Sequence, residues 1–234
     1  MDDFTTFIKA ELSCHGADIV GIGDLSGLPP WQRCNMPVGI CVAVKYSKEV
    51  IRGIIDLPTR EYYEQYNILN EKLDMLVKLG ASALIALGGY KAIPLTMDIV
   101  KEYETDYTTM LPYKTVATLA GIGWIGKSAL LVTKKYGSML RISSILTDAP
   151  LRTAKPIKKS RCADCIICTK VCPANAISGK NWSVDTYRDE FYDAYKCRNV
   201  ARERALQGIG IEITQCGKCI VSCPYTQQYL SQEG

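Results

Sequence analysis

The chain has 234 residues, 47% hydrophobic and 22% charged, which is enough apolar material for one full core and a second small one. Its first residues form no basic signal region, and no later run approaches the ~20 apolar residues of a membrane span. We therefore expect a cytoplasmic protein with no membrane partner.

The eleven cysteines are the strongest signal in the composition, and there is only one histidine. A reducing cytosol disfavours disulfides and the number is odd, so ligation of metal or clusters is the better interpretation. The formal charge of +4 then loses its meaning. Eight ligand thiolates subtract eight charges and two oxidised cluster cores restore about four, which gives roughly zero and little support for a nucleic-acid partner.

Helices and strands alternate through the first 150 residues. The strongest helix signal is at 60–79, where Thr59 is placed to cap the start and Gly80 to end it. The predicted elements, in chain order, are a helix at 2–14, strands at 18–24 and 38–46, a helix at 60–79, a strand at 81–87, a helix at 112–120, and strands at 129–133 and 139–147.

A basic, proline-marked connector at 152–161 precedes the first cysteine cluster. The change in composition predicts a domain boundary there, between residues 1–156 and residues 157–234. We find no internal repeat apart from the paired cysteine motifs, and no low-complexity tract.

The first cysteine motif is Cys162, Cys165, Cys168 and Cys172 followed by Pro173, which has the spacing C-x2-C-x2-C-x3-C-P. In that pattern three thiolates hold one 4Fe-4S cluster and the fourth ligates another. A zinc knuckle or incidental buried cysteines are the alternatives, and the spacing disfavours both.

The second motif is Cys216, Cys219 and Cys223, one cysteine short of the first. Cys197 lies between the two motifs and is the natural replacement. By the crossed arrangement of two-cluster ferredoxins, the predicted ligand sets are Cys162, Cys165, Cys168 and Cys223 for one cluster, and Cys172, Cys197, Cys216 and Cys219 for the other. The remaining Cys14, Cys34 and Cys41 are expected to be small buried hydrophobes.

A glycine-rich segment at 121–128, GIGWIGKS, matches two phosphate-binding patterns. Both patterns require a strand before the loop and a helix after it, and here the predicted order is reversed. We therefore interpret the segment as a loop whose backbone can approach a flat or bulky ligand, or as a purely structural turn.

The segment AGIGWIGKSALL at 120–131, followed by Gly137-Ser138, by ILTD at 145–148 and by the double cysteine motif, resembles the core of epoxyqueuosine reductases. The resemblance covers about 111–225 and extends more distantly to reductive dehalogenases. It implies an α+β fold, in which a nitroreductase-like domain that carries cobalamin is followed by a small bacterial-ferredoxin-like domain that reduces the cobalt. The loop would line the corrin pocket through Gly121, Gly123, Trp124, Ile125, Gly126, Lys127 and Ser128.

Two departures from that family concern substrate and proton donor. Long members continue into a helical-repeat region that helps hold tRNA, whereas this chain ends at Gly234, so the sequence argues against a tRNA partner. The segment 108–114 lacks the aspartate that serves those enzymes as proton donor. Thr109 stands near that position, and Asp106, Tyr107 and Tyr113 are nearby candidates, so no catalytic residue is assigned.

The sequence thus predicts an iron-sulfur oxidoreductase in which an external donor such as ferredoxin or flavodoxin reduces two 4Fe-4S clusters. These pass electrons to a bound cobalamin, which reduces a small-molecule or unknown substrate. The alternative is an electron-transfer protein that reduces a corrinoid or flavin on a separate partner, with the basic segments 152–161 and 198–204 steering an acidic surface. A third possibility keeps the nitroreductase-like fold but binds FMN.

Overall fold

The computed structural model describes residues 2–232, which form an α+β structure. In chain order the elements are α1 (Asp2–Cys14), β1 (Ile19–Asp24), β2 (Val38–Lys45), α2 (Lys48–Arg52), α3 (Arg60–Gly88), β3 (Ala92–Leu95), α4 (Tyr113–Leu119), β4 (Trp124–Ile125), β5 (Leu131–Val132), β6 (Leu140–Thr147), α5 (Ile167–Val171), a 3-10 turn (Arg188–Glu190), α6 (Ala194–Ile209), α7 (Lys218–Val221) and α8 (Pro224–Leu230). No helix within these residues has the length and apolar character needed to cross a bilayer.

The backbone contacts divide the chain into two compact units. The first contains the residues up to Val44, Leu69–Gly123 and Arg141–Ile157. The second contains Lys45–Ile68, Trp124–Leu140 and the residues from Lys158 on. The second unit therefore combines the cysteine motifs with two earlier segments of the chain. The sequence-based division into residues 1–156 and 157–234 stays a prediction about domains.

The first unit is built on a four-stranded sheet in the order β1-β2-β6-β3. β1 pairs antiparallel with β2, with Ile22 opposite Ile40, and β3 pairs antiparallel with β6. Seven of the eight residues of β2 are buried, as expected for a central strand. The predicted strands at 18–24, 38–46 and 139–147 are confirmed, whereas β3 was not predicted.

The helix α3 corrects two predictions, because it continues through Gly80 to Gly88 and includes 81–87, which the sequence predicted to be a strand. A Cβ at Gly80 would lie 2.6 Å from Ile145 Cδ1 and 3.2 Å from Leu12 Cδ2. The glycine thus permits close packing within the helix and does not end it. Along the added turns Leu84 is fully buried while Leu87 is exposed, which is helical periodicity.

The second unit carries its cysteines on short helices and turns. α5 and α7 each follow a tight turn, α8 begins with Pro224 at its first position, and α6 presents Cys197. Proline is well suited to a first helical turn because its missing N–H has no partner there. The hairpin β4–β5, in which Trp124 lies opposite Val132, belongs to the same unit.

Candidate functional site

The first cysteine motif is shaped by one turn and one short helix. The Cys165 backbone N–H donates to the Cys162 carbonyl at 3.0 Å, and the intervening Ala163 has a positive φ of 46°. Cys168 lies in the first turn of α5, and Cys172 ends that helix. The Cys172 Sγ accepts a hydrogen bond from the backbone N–H of Ala176 at 3.4 Å.

The second motif is folded in a similar way. Gly217 has a φ of 76°, and a Cβ there would lie 2.7 Å from Ile54 Cδ1, so the turn between Cys216 and Cys219 needs a glycine. Cys219 lies on α7, and Cys223 is the N-cap of α8.

The thiols fall into two groups according to their electrostatic neighbours. Burial, and then the like charges of other thiols, raises the pKa of Cys168 to about 11. The thiols that act on it are Cys162, Cys165 and Cys223. Cys223 in turn has a pKa raised mainly by burial and also by Cys162. We call Cys162, Cys165, Cys168 and Cys223 the first thiol group.

The other four cysteines of the C-terminal part also lie close enough to one another to affect each other's pKa. Burial raises the pKa of Cys219 well above its usual range, and the neighbouring thiols that add to the shift are Cys197, Cys216, Cys168 and Cys172. The pKa of Cys197 is also raised, first by burial and then by Cys172 and Cys216. We call Cys172, Cys197, Cys216 and Cys219 the second thiol group. The two groups have the same members as the predicted crossed ligand sets, which stay a prediction, and Cys168 of the first group also acts on Cys219.

Neither group is a single-ion site. Among the described side chains, those of residues 4–232, no three His, Cys, Asp or Glu residues converge closely enough to hold one metal ion. Thiolates around a 4Fe-4S cube each bind a different iron atom, so they need not converge on one point.

A cavity of about 450 Å³ lies against the first thiol group. All four of its cysteines line the cavity, together with Cys219 of the second group. Three loop residues, Gly126, Lys127 and Ser128, line the same cavity. The sequence predicted this loop and these cysteines as parts of different sites, and the structure brings them together.

Trp124 is the loop residue most closely engaged with the thiols. It is 1% exposed, and its indole Nε1–H donates to Cys162 Sγ at 3.5 Å. Tyr225 packs edge-on against the indole with 4.9 Å between ring centroids, and the Arg161 guanidinium lies 5.7 Å from the ring centroid. The position of Tyr225, two residues after Cys223, was the only sequence signal that could have placed it here.

The other loop residues have their own packing reasons. Gly121 has a φ of 68°, and a Cβ there would lie 2.8 Å from the carbonyl oxygen of Lys155. A Cβ at Gly126 would lie 2.8 Å from Val132 Cγ2 and 3.6 Å from Cys162 Sγ. Gly123 is buried and Ile125 is half-buried. The loop follows α4 and enters β4, so the strand-loop-helix order of a phosphate loop is absent, as predicted.

The second thiol group has two polar neighbours that the sequence did not reveal. The Tyr192 hydroxyl lies next to Cys197, where its hydrogen bond partly offsets the rise that burial causes in the pKa of that thiol, and the Arg204 guanidinium lies next to Cys216. Arg204 also contacts Asp56, with 3.1 Å to Oδ1. No sequence motif marks Tyr192, Arg204 or Asp56, because none of them belongs to a cysteine motif.

The candidate proton donors have local hydrogen-bond partners. The Tyr113 hydroxyl donates to the Leu95 carbonyl at 2.8 Å, and burial raises the pKa of this phenol. Asp106 Oδ1 accepts from the backbone N–H and hydroxyl of Thr108, at 3.0 and 2.8 Å.

The three cysteines outside the motifs were expected to be buried, and only one of the three is. Cys41 is buried, Cys34 is half-buried and Cys14 is exposed.

The fold and the thiol groups define an iron-sulfur protein, because residues 161–226 match the family described as a 4Fe-4S double cluster binding domain. The chain is also similar to the epoxyqueuosine reductases, as its motifs predicted. It is 31% identical over 114 residues to the enzyme of Yersinia pestis, a match that covers 49% of this chain and 27% of the relative. The chain therefore spans less than a third of the curated relatives that it matches first.

Solved structures share the fold at lower identity. A reductive dehalogenase structure described in terms of B12-dependent dehalogenation aligns with a TM-score of 0.71 and 20% identity, covering 93% of this chain and 31% of its own. An epoxyqueuosine reductase bound to an epoxyqueuosine-modified tRNA-Tyr stem loop aligns with a TM-score of 0.61 and 18% identity, covering 96% of this chain and 66% of its own. The predicted α+β class is confirmed.

Proposed function

We propose that the two thiol groups each hold a 4Fe-4S cluster and that the protein carries single electrons through them. The ligands would be Cys162, Cys165, Cys168 and Cys223 for one cluster, and Cys172, Cys197, Cys216 and Cys219 for the other. The observation that carries this proposal is the grouping of eight thiols into two sets of four within a double-cluster domain. Sulfur ligands alone, with no histidine among them, suit iron-sulfur clusters.

Side chains of the protein would stabilise the negative charge of such clusters. Trp124 gives an N–H hydrogen bond to one ligand thiolate, and Tyr192 gives an O–H hydrogen bond to another. Donors of this kind stabilise the more negative, reduced state of a cluster. Each thiol group also has a cation close to it, Lys127 in the first and Arg204 in the second.

We further propose that the clusters deliver electrons to a cobalamin held by residues 1–156. When bound, cobalamin would supply a metal centre for a two-electron reduction, and the protein would supply position and electrostatics. The proposal is supported by the resemblance to epoxyqueuosine reductases and by the fold shared with reductive dehalogenases. The loop residues that would line the corrin pocket are those predicted from the resemblance, Gly121, Gly123, Trp124, Ile125, Gly126, Lys127 and Ser128.

The substrate and the donor belong to the same proposal. We expect an external one-electron donor such as ferredoxin or flavodoxin, and a small-molecule or unidentified substrate. One structural neighbour is an epoxyqueuosine reductase bound to a tRNA stem loop. For this chain a tRNA substrate is a separate hypothesis, which the binding experiment below can include.

A specific observation favours a second candidate, an electron-transfer protein that reduces a corrinoid or flavin on a partner. Trp124 and Lys127, two side chains predicted to contact a corrin, are only 1% and 3% exposed. Trp124 donates to Cys162 and Lys127 lines the cavity beside the first thiol group, so both residues have a role without a corrin. In this case the basic segments 152–161 and 198–204 would guide an acidic partner.

Anaerobic reconstitution with iron and sulfide, followed by ultrafiltration with hydroxocobalamin, tests these proposals. We expect about eight irons per chain, and one retained corrinoid per chain with a shifted visible spectrum. FMN and a modified tRNA stem loop are tested in parallel, and Cys14→Ala serves as a control for surface cysteine chemistry. Eight irons without corrinoid retention would favour the electron-transfer protein, and retained FMN would favour a flavin protein. Zinc, or markedly fewer irons, would overturn the cluster proposal.

A further inference from the structure

Lys127 is a buried cation on the wall of the cavity next to the first thiol group. The residue is 3% exposed and lines the cavity beside Gly126, whose Cβ position is 3.6 Å from Cys162 Sγ. Among the side chains of residues 4–232, no salt bridge or hydrogen bond pairs its ammonium group with an acceptor, and the ammonium is not one of the fully buried polar atoms, so it faces the cavity. An unpaired charge with so little access to water is unfavourable in a folded protein, so an anion is expected nearby.

The residues that line the cavity offer only one kind of anion. They include no aspartate and no glutamate, and the side chains that would become anionic as ligands are the four cysteines of the first thiol group and Cys219 of the second. Arg161, the other cation on the wall, is exposed and lies over the Trp124 ring. Lys127 is therefore the cation that solvent screens least.

We infer that Lys127 is the counter-charge of the cluster held by the first thiol group and that it raises the reduction potential of that cluster. This inference rests on the proposal that the first thiol group binds a 4Fe-4S cluster. Lys127 acts here as a positioning and tuning residue, because it carries no electron and transfers no proton.

The direction of the effect follows from the charge of the cluster. With four thiolates, the oxidised cluster has a net charge of about −2 and the reduced cluster about −3. Reduction takes one electron from the external donor and needs no proton. A fixed positive charge in a poorly solvated site attracts the more negative state more strongly, so it favours reduction.

The experiment compares three variants after anaerobic reconstitution, with midpoint potentials from EPR-monitored redox titration and iron counted per chain. Lys127→Met removes the charge and keeps the length, and Lys127→Arg keeps the charge. Lys134→Met makes the same change at an exposed lysine seven residues further along the chain and serves as the matched control.

We expect Lys127→Met to shift the reduction equilibrium of one cluster at least tenfold toward the oxidised form, which is about 59 mV for one electron. The other cluster, Lys127→Arg and Lys134→Met should stay near the wild-type potentials. Loss of one cluster in Lys127→Met but not in Lys127→Arg would also support a counter-charge. Unchanged potentials in Lys127→Met, or equal loss of iron in both variants, would overturn the inference.

The two proposals fail in different ways. Too few irons in the wild-type protein would overturn the cluster proposal whatever the variants show. A wild-type protein with both clusters and a Lys127→Met variant with the same potentials would overturn the role of Lys127 alone.

Discussion

The two thiol groups are alike in design and differ in how their cations are neutralised. The first has the Trp124 indole N–H at 3.5 Å from Cys162 Sγ and the unpaired, buried Lys127 on its cavity wall. The second has the Tyr192 hydroxyl on Cys197 and the Arg204 guanidinium on Cys216, but Arg204 is shared with Asp56. Each group thus combines one hydrogen-bond donor with one cation.

This difference predicts an order of potentials. Net charge and hydrogen bonds around the sulfurs are among the factors that set cluster potentials. A lysine with no carboxylate partner contributes its full charge, whereas an arginine paired with an aspartate contributes less. We therefore expect the cluster of the first thiol group to have the higher potential, so that electrons rest there after entering through the second.

Removing one ligand from each group has the largest expected effect. Cys168→Ala and Cys197→Ala should each lower the iron content from about eight to about four per chain, because each cluster needs four thiolates. EPR of the reduced proteins should lose a different signal in each variant, and Cys14→Ala should lose none. If Cys197→Ala keeps all its iron and both signals, Cys197 is not a ligand and the ligand set proposed for the second cluster is wrong.

The shape of each cysteine motif could be predicted from the sequence because ligand spacing is a local property, whereas the crossed sharing of ligands stays a prediction. The run from Cys162 to Cys172 lies in one turn and one short helix, so the sequence fixes its geometry without the rest of the fold. The same holds for α1, whose predicted and observed bounds agree at Asp2–Cys14. Its Ile8 and Leu12 are fully buried, as the helical periodicity required.

Elements that depend on tertiary contacts were missed. Gly80 ended the predicted helix, but packing against Ile145 and Leu12 keeps it inside α3. β3 contains Pro94, which disfavours a strand, yet β3 is at the edge of the sheet, where proline is tolerated. Likewise, Trp124 and Cys162 are 38 residues apart, so no local pattern could show that the indole serves a thiol.

Removing one hydrogen bond from each group should have a smaller effect. Trp124→Phe and Tyr192→Phe each delete one donor to a thiolate and keep an aromatic ring. A hydrogen bond to a charged group contributes about 1.5 kcal/mol, and only the part gained on reduction shifts the potential, so each variant should lower one potential by at most roughly 60 mV. Redox titration followed by EPR checks this, and each variant is the control for the other. A shift of both clusters in either variant would contradict the separation of the two groups.

The smallest expected effect comes from Asp56, which shares Arg204 with Cys216. Its side chain is 77% exposed, so its ion pair with Arg204 is worth at most about 1 kcal/mol. Asp56→Asn removes a negative charge near the second cluster and leaves Arg204 free to interact with the Cys216 thiolate alone. Both changes favour the reduced cluster. The potential of the second cluster should therefore rise by less than about 40 mV, and the rise should shrink as salt is added.

Glu212→Gln is the matched control for Asp56→Asn, because it breaks another ion pair of α6, in which Arg202 lies 3.0 Å from Glu212. Titrations at low and high salt compare the two variants. A fall in potential, or an equal rise in both clusters, would mean that Asp56 does not compete with Cys216 for Arg204. The contrast between a paired and an unpaired cation would then no longer explain any difference between the two potentials.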